Sequence, residues 1–259
     1  MSPEHAARGL SFGEIVERYD RFRPGLPEAA VDWLVPDGCK TVVDLAAGTG
    51  ALTRSLVDHV EHVIAVEPDP RMRETLGRNC PDARVLSGTG EQIPLPDGQA
   101  DAVLISMAWH WMDPQRAVPE VARVLRSGGT FGVAWNHRAL SVPWVAELDS
   151  FTRELRARAA AEGPTGTGAA PTREATDPPT GSLFSVFTEM RMTWSKPVTA
   201  GELVGLLGTD ASAIALPVDA RSAVDEQVAA YVREELGLSG DKTIDLPVAC
   251  RCLRATKNA

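Results

Sequence analysis

Hydrophobic and polar positions change period along this chain, and residues 41–50, TVVDLAAGTG, hold the sharpest change. Thr41 to Leu45 is a short, β-branched apolar run, the composition of a buried strand. Ala46, Ala47, Gly48, Thr49 and Gly50 then make a turn with almost no side chain. From Ala51 onward Leu52, Leu56 and Val60 recur every four residues, on one face of a helix. A strand, a side-chain-poor turn and a helix in that order let a ligand lie against backbone amides. Small residues are needed there because a larger side chain fills the ligand's space. Asp44 adds a carboxylate suited to a cationic or hydroxylated part of such a ligand. A plain β–α connection that binds nothing has the same local pattern.

A second apolar run, Val63 to Val66, ends in Glu67, seventeen positions after Gly50. A carboxylate at that strand end can accept hydrogen bonds from both hydroxyls of a ribose. The alternative is a surface charge. Pro68-Asp69-Pro70 predicts a helix start, with Asp69 as cap and Pro70 at the first helical position, and Met72 and Leu76 carry the helix to Asn79. Arg84 to Leu86 reads as a third strand, and the small residues at 87–91 that follow leave backbone groups free for a base.

Asp101 to Ser106 predicts a fourth, fully buried strand that runs into Met107-Ala108-Trp109-His110-Trp111. In open α/β sheets ligands sit outside the carboxyl ends of strands, where strand order reverses. Trp109 and Trp111 around His110 therefore read as a substrate wall, although a tryptophan is also a core residue. Val118, Val121, Ala122 and Leu125 mark a helix, with Pro119 predicting a kink or a start near 119 and Ser127-Gly128-Gly129 closing it. Thr130 to Trp135 predicts a fifth strand ending in a second polar constellation, Asn136-His137-Arg138.

Ahead of the first strand, Phe12, Ile15, Val16 and Tyr19 form an apolar stripe that Arg23-Pro24-Gly25-Leu26-Pro27 interrupts. Ala29, Ala30, Trp33 and Leu34 begin another. This segment reads as a cap across the site, with Tyr19 and Arg23 flanking the break. Residues 161–182 are rich in Gly, Pro, Thr and Ala without periodicity, and read as a mobile loop or partly disordered lid. Glu189 to Pro197 and Ile244 to Arg254 predict strands, with helices at 199–208 and 219–236. We read residues 1–259 as one domain: an N-terminal helical cap at 1–36, a core at 37–138, a lid or insert at 139–185, and a C-terminal hairpin with helices at 186–259.

Of the 259 residues, 44% are hydrophobic and 24% charged, and the formal net charge is −9. Without clustered Lys and Arg, nucleic acid is disfavoured as the main substrate, as is an anionic membrane surface. No run of about twenty apolar residues predicts a membrane span. The start, MSPEHAARGL, lacks the pattern of a signal peptide. Cys39, Cys80, Cys250 and Cys252 have neither a CxxC spacing nor nearby histidines, so no metal site is expected. These features together predict a cytoplasmic protein.

The segments VVDLAAGTGALT, VIAVEPD, GTGEQIPLPDG, DAVLISMAWHWMD and EVARVLRSGGTFGVAWN occur in that order. The chain thereby resembles class I S-adenosylmethionine-dependent methyltransferases, and most nearly the small-molecule type 11 subgroup with its ubiquinone and trans-aconitate methyltransferase relatives. The resemblance covers about Tyr19 to Trp135, with a looser match from 186 to 255. It implies an α/β, Rossmann-like doubly wound fold with helices on both faces of a seven-stranded sheet. That sheet is mostly parallel, with a reversed strand near the C-terminus.

The resemblance also implies site roles. Asp44, Ala46, Gly48 and Gly50 would hold the methionine portion of S-adenosylmethionine, and Glu67, followed by Pro68, the ribose. Thr89, Gly90 and Glu91 would sit near adenine, and Ser106 and Met107 would line the cofactor. Tyr19 and Arg23 would cover the sulfonium and its carboxylate. Two positions depart from the family pattern: Ala46 replaces the first glycine of a GxGxG turn, which is tolerated if its φ stays negative, and Thr89 replaces a frequent acidic residue. The Ala46–Gly48–Gly50 spacing also differs from the GxGxxG turn of NAD enzymes.

The expected activity is methyl transfer by direct displacement to a small organic molecule, leaving S-adenosylhomocysteine. His110 and His137 are the candidate bases, and Trp109, Trp111 and Asn136 the candidate substrate contacts. A cyclisation or other rearrangement on the same fold, or a non-catalytic cofactor-binding protein, are the alternatives. Acceptor identity, the atom methylated and the oligomeric state are not legible in the sequence.

Overall fold

The computed structural model describes residues 16–162, 177–179 and 181–259. Phe12 and Ile15 of the first stripe, residues 1–15 of the cap, and residues 163–176 and 180 of the predicted lid loop lie outside the described residues. Two short helices, α1 (Val16–Phe22) and α2 (Glu28–Leu34), precede the first strand, β1 (Thr41–Leu45). There follow α3 (Ala51–Val57), β2 (His62–Val66), α4 (Pro70–Asn79), β3 (Arg84–Leu86) and β4 (Ala100–Ser106). A single tight turn of helix at Trp109–Trp111 leads into α5 (Pro114–Val124) and β5 (Leu125–Arg138). The C-terminal part holds α6 (Pro143–Glu162), β6 (Thr188–Thr199), α7 (Ala200–Leu207), α8 (Ala211–Ile214), α9 (Val218–Glu234) and β7 (Thr243–Thr256).

The strands form one seven-stranded sheet in the order β3-β2-β1-β4-β5-β7-β6. β1 pairs in parallel with β2 and β4, and β4 with β5, whereas β7 is antiparallel to both β5 and β6. β7 is therefore the one reversed strand, as the family resemblance implies. It is not half of a tight hairpin, because α7, α8 and α9 lie between β6 and β7 in the chain.

Alternation along the strands sends side chains to two cores. Val43, Leu45, Val103, Ile105, Phe131, Val133 and Trp135 meet Ala117 and Val121 of α5 on one face. Val42, Ala102, Leu104 and Ala134 meet Ala30, Val31 and Leu34 of α2 and Leu52 and Leu56 of α3 on the other. A third core lies among α6, α7 and α9, where Val145, Leu148, Leu203, Leu207, Val224 and Val228 pack with Val198, Leu246 and Val248 of β6 and β7.

Two expectations around α5 are corrected. The helix does not start near Pro119, which lies inside it. It starts at Pro114, where the missing proline N–H has no helical partner to lose, and Asp113 caps it by accepting the Gln115 N–H at 3.1 Å. Nor does Ser127-Gly128-Gly129 close the helix, which ends at Val124. Ala100 pairs with Leu125 and Ala102 with Thr130, so residues 126–129 bulge out of the ladder, and Gly128 takes φ 74° to make that bulge.

Candidate functional site at the carboxyl ends of β1, β2 and β4

The strand order reverses between β1 and β4, the neighbours at the centre of the sheet. The residue just after each of these strands is strained. Ala46 has φ 59° and Met107 φ 61°, and they are the two non-glycine residues of positive φ among the described residues. The condition set for an alanine in this turn, a negative φ, is therefore not met. The chain must leave the sheet at once for the Ala47 N–H to bond Val66 O at 3.1 Å, and an alanine Cβ is small enough to bear that conformation. Met107 is held by its N–H to Ala134 O at 2.8 Å and by the Asn136 N–H to its Sδ at 2.9 Å. Strain that the surroundings over-determine in this way gathers at ligand sites.

Glu67 is buried at the end of β2. Its Oε2 accepts the Gly48 N–H at 2.9 Å and its Oε1 the Asp69 N–H at 2.9 Å. A carboxylate has about four acceptor directions, so half remain for hydroxyls. Burial pushes the Glu67 carboxyl upward, against the two amide donors. Asp44 lies beneath the turn, 1% exposed, and accepts the Thr53 hydroxyl at 2.6 Å. Burial raises it to about 7 despite that bond, and the neighbouring Glu67 adds to the rise. Two buried carboxylates whose ionised forms are held back favour a cation beside them. Ser106 ends β4 half-buried, on the same side of the sheet as Asp44.

The turn has a lid. A Cβ placed on Gly48 would stand 3.9 Å from Cε1 of Tyr19, so the ring of Tyr19 faces the turn. Asn79 donates to Asp20 of α1 at 2.8 Å and to Thr49 O at 3.0 Å, tying lid and turn together. Gly50 is left-handed (φ 92°) and packs on Leu76 and Cys80, so its smallness serves the core beneath the turn. Arg23 departs from its expected place. Its guanidinium stacks on Tyr19 at 5.5 Å but donates to Thr209 Oγ1 at 2.8 Å and Thr209 O at 2.9 Å, and reaches Asp210 at 3.4 Å.

The strand-end residues beyond β3 and β4 divide differently from the sequence reading. Thr89 bridges to Gln92, and Gly90 is small because Met112 leaves no room for a Cβ. Glu91 accepts the Asp113 N–H at 2.8 Å, so it braces the start of α5. Pro68 is half-buried and its carbonyl accepts Arg73 at 2.6 Å. Trp109 is 1% exposed and meets Phe131 edge-on at 5.7 Å, which makes it core and not a wall. Trp111 and His110 are half-buried neighbours, their rings 4.7 Å apart.

Asn136, His137 and Arg138 do not form one constellation, because alternation on β5 puts His137 on the Trp135 face and the other two on the opposite face. The Asn136 amide is committed at both ends, donating to Gly25 O at 2.9 Å and accepting from Trp194 at 3.4 Å. Its predicted substrate contact is thus a brace between the N-terminal segment and β6.

A buried ionic cluster had no local signature in the sequence. Arg138 reaches Asp149 of α6 at 2.5 Å and Asp210 at 3.1 Å, and Arg156 of α6 reaches Asp210 at 3.0 Å. Only the packing of α6 beside the segment before α8 brings these distant residues together.

Comparison with known proteins agrees with this architecture. A family model described as a methyltransferase domain matches residues 43–133. An uncharacterised methyltransferase of Mycobacterium tuberculosis is 37% identical over 247 residues, covering 95% of this chain and 96% of its own. An uncharacterised methyltransferase-like protein of Schizosaccharomyces pombe is 32% identical over 151 residues, covering 56% of this chain and 59% of its own. A methyltransferase structure from Anaeromyxobacter dehalogenans superposes with a TM-score of 0.60 at 23% identity, over 91% of this chain and 98% of that one. The chain belongs to the class I S-adenosylmethionine-dependent methyltransferases, in the type 11 methyltransferase family. Among the described residues no helix is long and apolar enough to cross a membrane.

Proposed function

We propose that this protein methylates a small organic molecule in the cytoplasm, using S-adenosylmethionine held at the reversal point between β1 and β4. One observation carries the reading: the strained pair Ala46 and Met107 flanks that point, with two buried carboxylates beside it. The residues present fit the cofactor, since the turn at Gly48 carries no side chain and the buried Glu67 and Asp44 carboxylates suit a cation. Gly48, Asp44 and Ser106 would hold its methionine portion and Glu67 its ribose, under Tyr19. When bound, it supplies a methyl group on a positively charged sulfur, open to direct displacement. The chain's part is then alignment and exclusion of water. His110 or His137 would take the acceptor's proton where the acceptor has one to lose.

Calorimetric titration with S-adenosylmethionine and S-adenosylhomocysteine tests the cofactor site. Affinity near micromolar, on the order of −8 kcal/mol, that falls at least tenfold in Glu67→Ala is expected; no binding to the intact protein rejects the reading. His110→Ala is expected to cut turnover more than cofactor affinity. Product mass completes the test, because methylation adds one CH₂ equivalent and a rearrangement adds nothing.

A further inference from the structure

Arg23, Arg138 and Arg156 converge on Asp149 of α6 and Asp210 before α8. Their side chains are 17%, 10% and 6% exposed, against 8% and 11% for the two carboxylates. Arg153 also reaches Asp149, at 3.4 Å, but it is 72% exposed and its charge is met by solvent. Among the described residues, the buried part of the cluster therefore joins three guanidiniums to two carboxylates. A buried unit charge without a partner is costly, and a bound anion removes the cost. A second observation points the same way: Nε of Arg156 is buried without a hydrogen-bond acceptor, although the Nη atoms of that side chain bond Asp210, Ser212 and Leu207 O.

The cluster adjoins the candidate cofactor site. Arg23 stacks on Tyr19, whose ring faces Gly48, and Arg138 is the last residue of β5, beside β4. We propose that these three arginines form a subsite for a carboxylate carried by the methyl acceptor. The inference rests on the methyltransferase reading above. The buried Arg156 Nε supplies a charge-assisted donor for a carboxylate oxygen, and one surplus positive charge matches one monoanion. The cofactor's own carboxylate is the other source of that chemistry. The acceptor is favoured because Arg138 and Arg156 belong to β5 and α6, and not to the turn after β1.

The test follows the thermal midpoint with sodium acetate, against sodium chloride at equal ionic strength and against acetamide. It is run on the free protein and on protein saturated with S-adenosylhomocysteine. Acetate is expected to raise the midpoint by about 3 °C or more over chloride in both states, with acetamide inert. Asp210→Asn, which doubles the surplus charge, should enlarge the acetate shift; Arg156→Gln, which cancels it, should abolish the shift. Acetate no better than chloride overturns the proposal. A shift that vanishes on saturation assigns the anion to the cofactor and overturns it too. A protein blind to S-adenosylhomocysteine that still responds to acetate keeps an anion site, but rejects the cofactor reading and with it the acceptor assignment.

Discussion

The carboxylate of Glu67 accepts the Gly48 N–H at 2.9 Å, so the end of β2 holds the turn that follows β1. A second bond, from the Asp69 N–H at 2.9 Å, makes the same side chain brace the start of α4. One residue thus sets the shape of the site as well as offering acceptors to a ligand. Removing it strands two amide donors, each worth about 1–3 kcal/mol when left unpaired. Glu67→Ala should lower stability by about 2–6 kcal/mol, read from the urea midpoint. Glu67→Gln, with one carbonyl oxygen, should lose roughly half of that. A variant that keeps its urea midpoint yet loses cofactor affinity would separate the two roles.

Asp44 gives a pH dependence of defined sign. Burial raises its carboxyl to about 7 in the folded protein, from an ordinary value of 3.8. Between those values the native state holds a proton that the unfolded chain gives up. This group's contribution therefore falls as pH rises through the window, and is level above it. Asp44→Asn still accepts from Thr53 and carries no charge. It should be more stable than the parent at pH 8, by about 2–4 kcal/mol, with the difference closing toward pH 4. Cofactor affinity should fall in the same variant at pH 8, because the cationic ligand loses its ionised partner. Denaturation and calorimetry at the two pH values check both halves.

At Ala46 the left-handed backbone costs about 1–2 kcal/mol for a residue with a Cβ. Ala46→Gly relieves this but frees the unfolded chain, so a gain of about 0–1 kcal/mol is expected. Ala46→Val, β-branched at φ 59°, should lose about 2 kcal/mol or more. Equal destabilisation by both would mean that the turn does not impose the conformation.

The two tryptophans separate core from site. Trp109→Ala should cost about 3–5 kcal/mol, the usual loss for a buried aromatic. Trp111→Ala, from a half-buried position, should leave the midpoint within about 1 kcal/mol. If Trp111 touches the acceptor, that variant should raise KM with little change in the cofactor titration.

Apolar runs, helical spacing and the Asp69–Pro70 start signal determined the run of β1, α3, β2, α4 and β3, because each of these signals lies within the element it marks. The small-residue turn at 46–50 and the strand-end carboxylate at 67 were legible, since strand-end composition is local in sequence. The bulge at 126–129 was not, because Ser127-Gly128-Gly129 also reads as a helix stop and only pairing with β4 selects the strand. Trp109 was misplaced for a similar reason: apolar area does not say whether a ring faces a cavity or Phe131. Arg23 points to Thr209 and Asp210 because the segment after α7 comes to rest beside α1. That meeting, like the one between Arg138 and Asp210, depends on how whole helices pack. Patterns within a few turns belonged to the sequence; the ionic cluster and its surplus charge belong to the tertiary structure, which alone sets distances between residues remote along the chain.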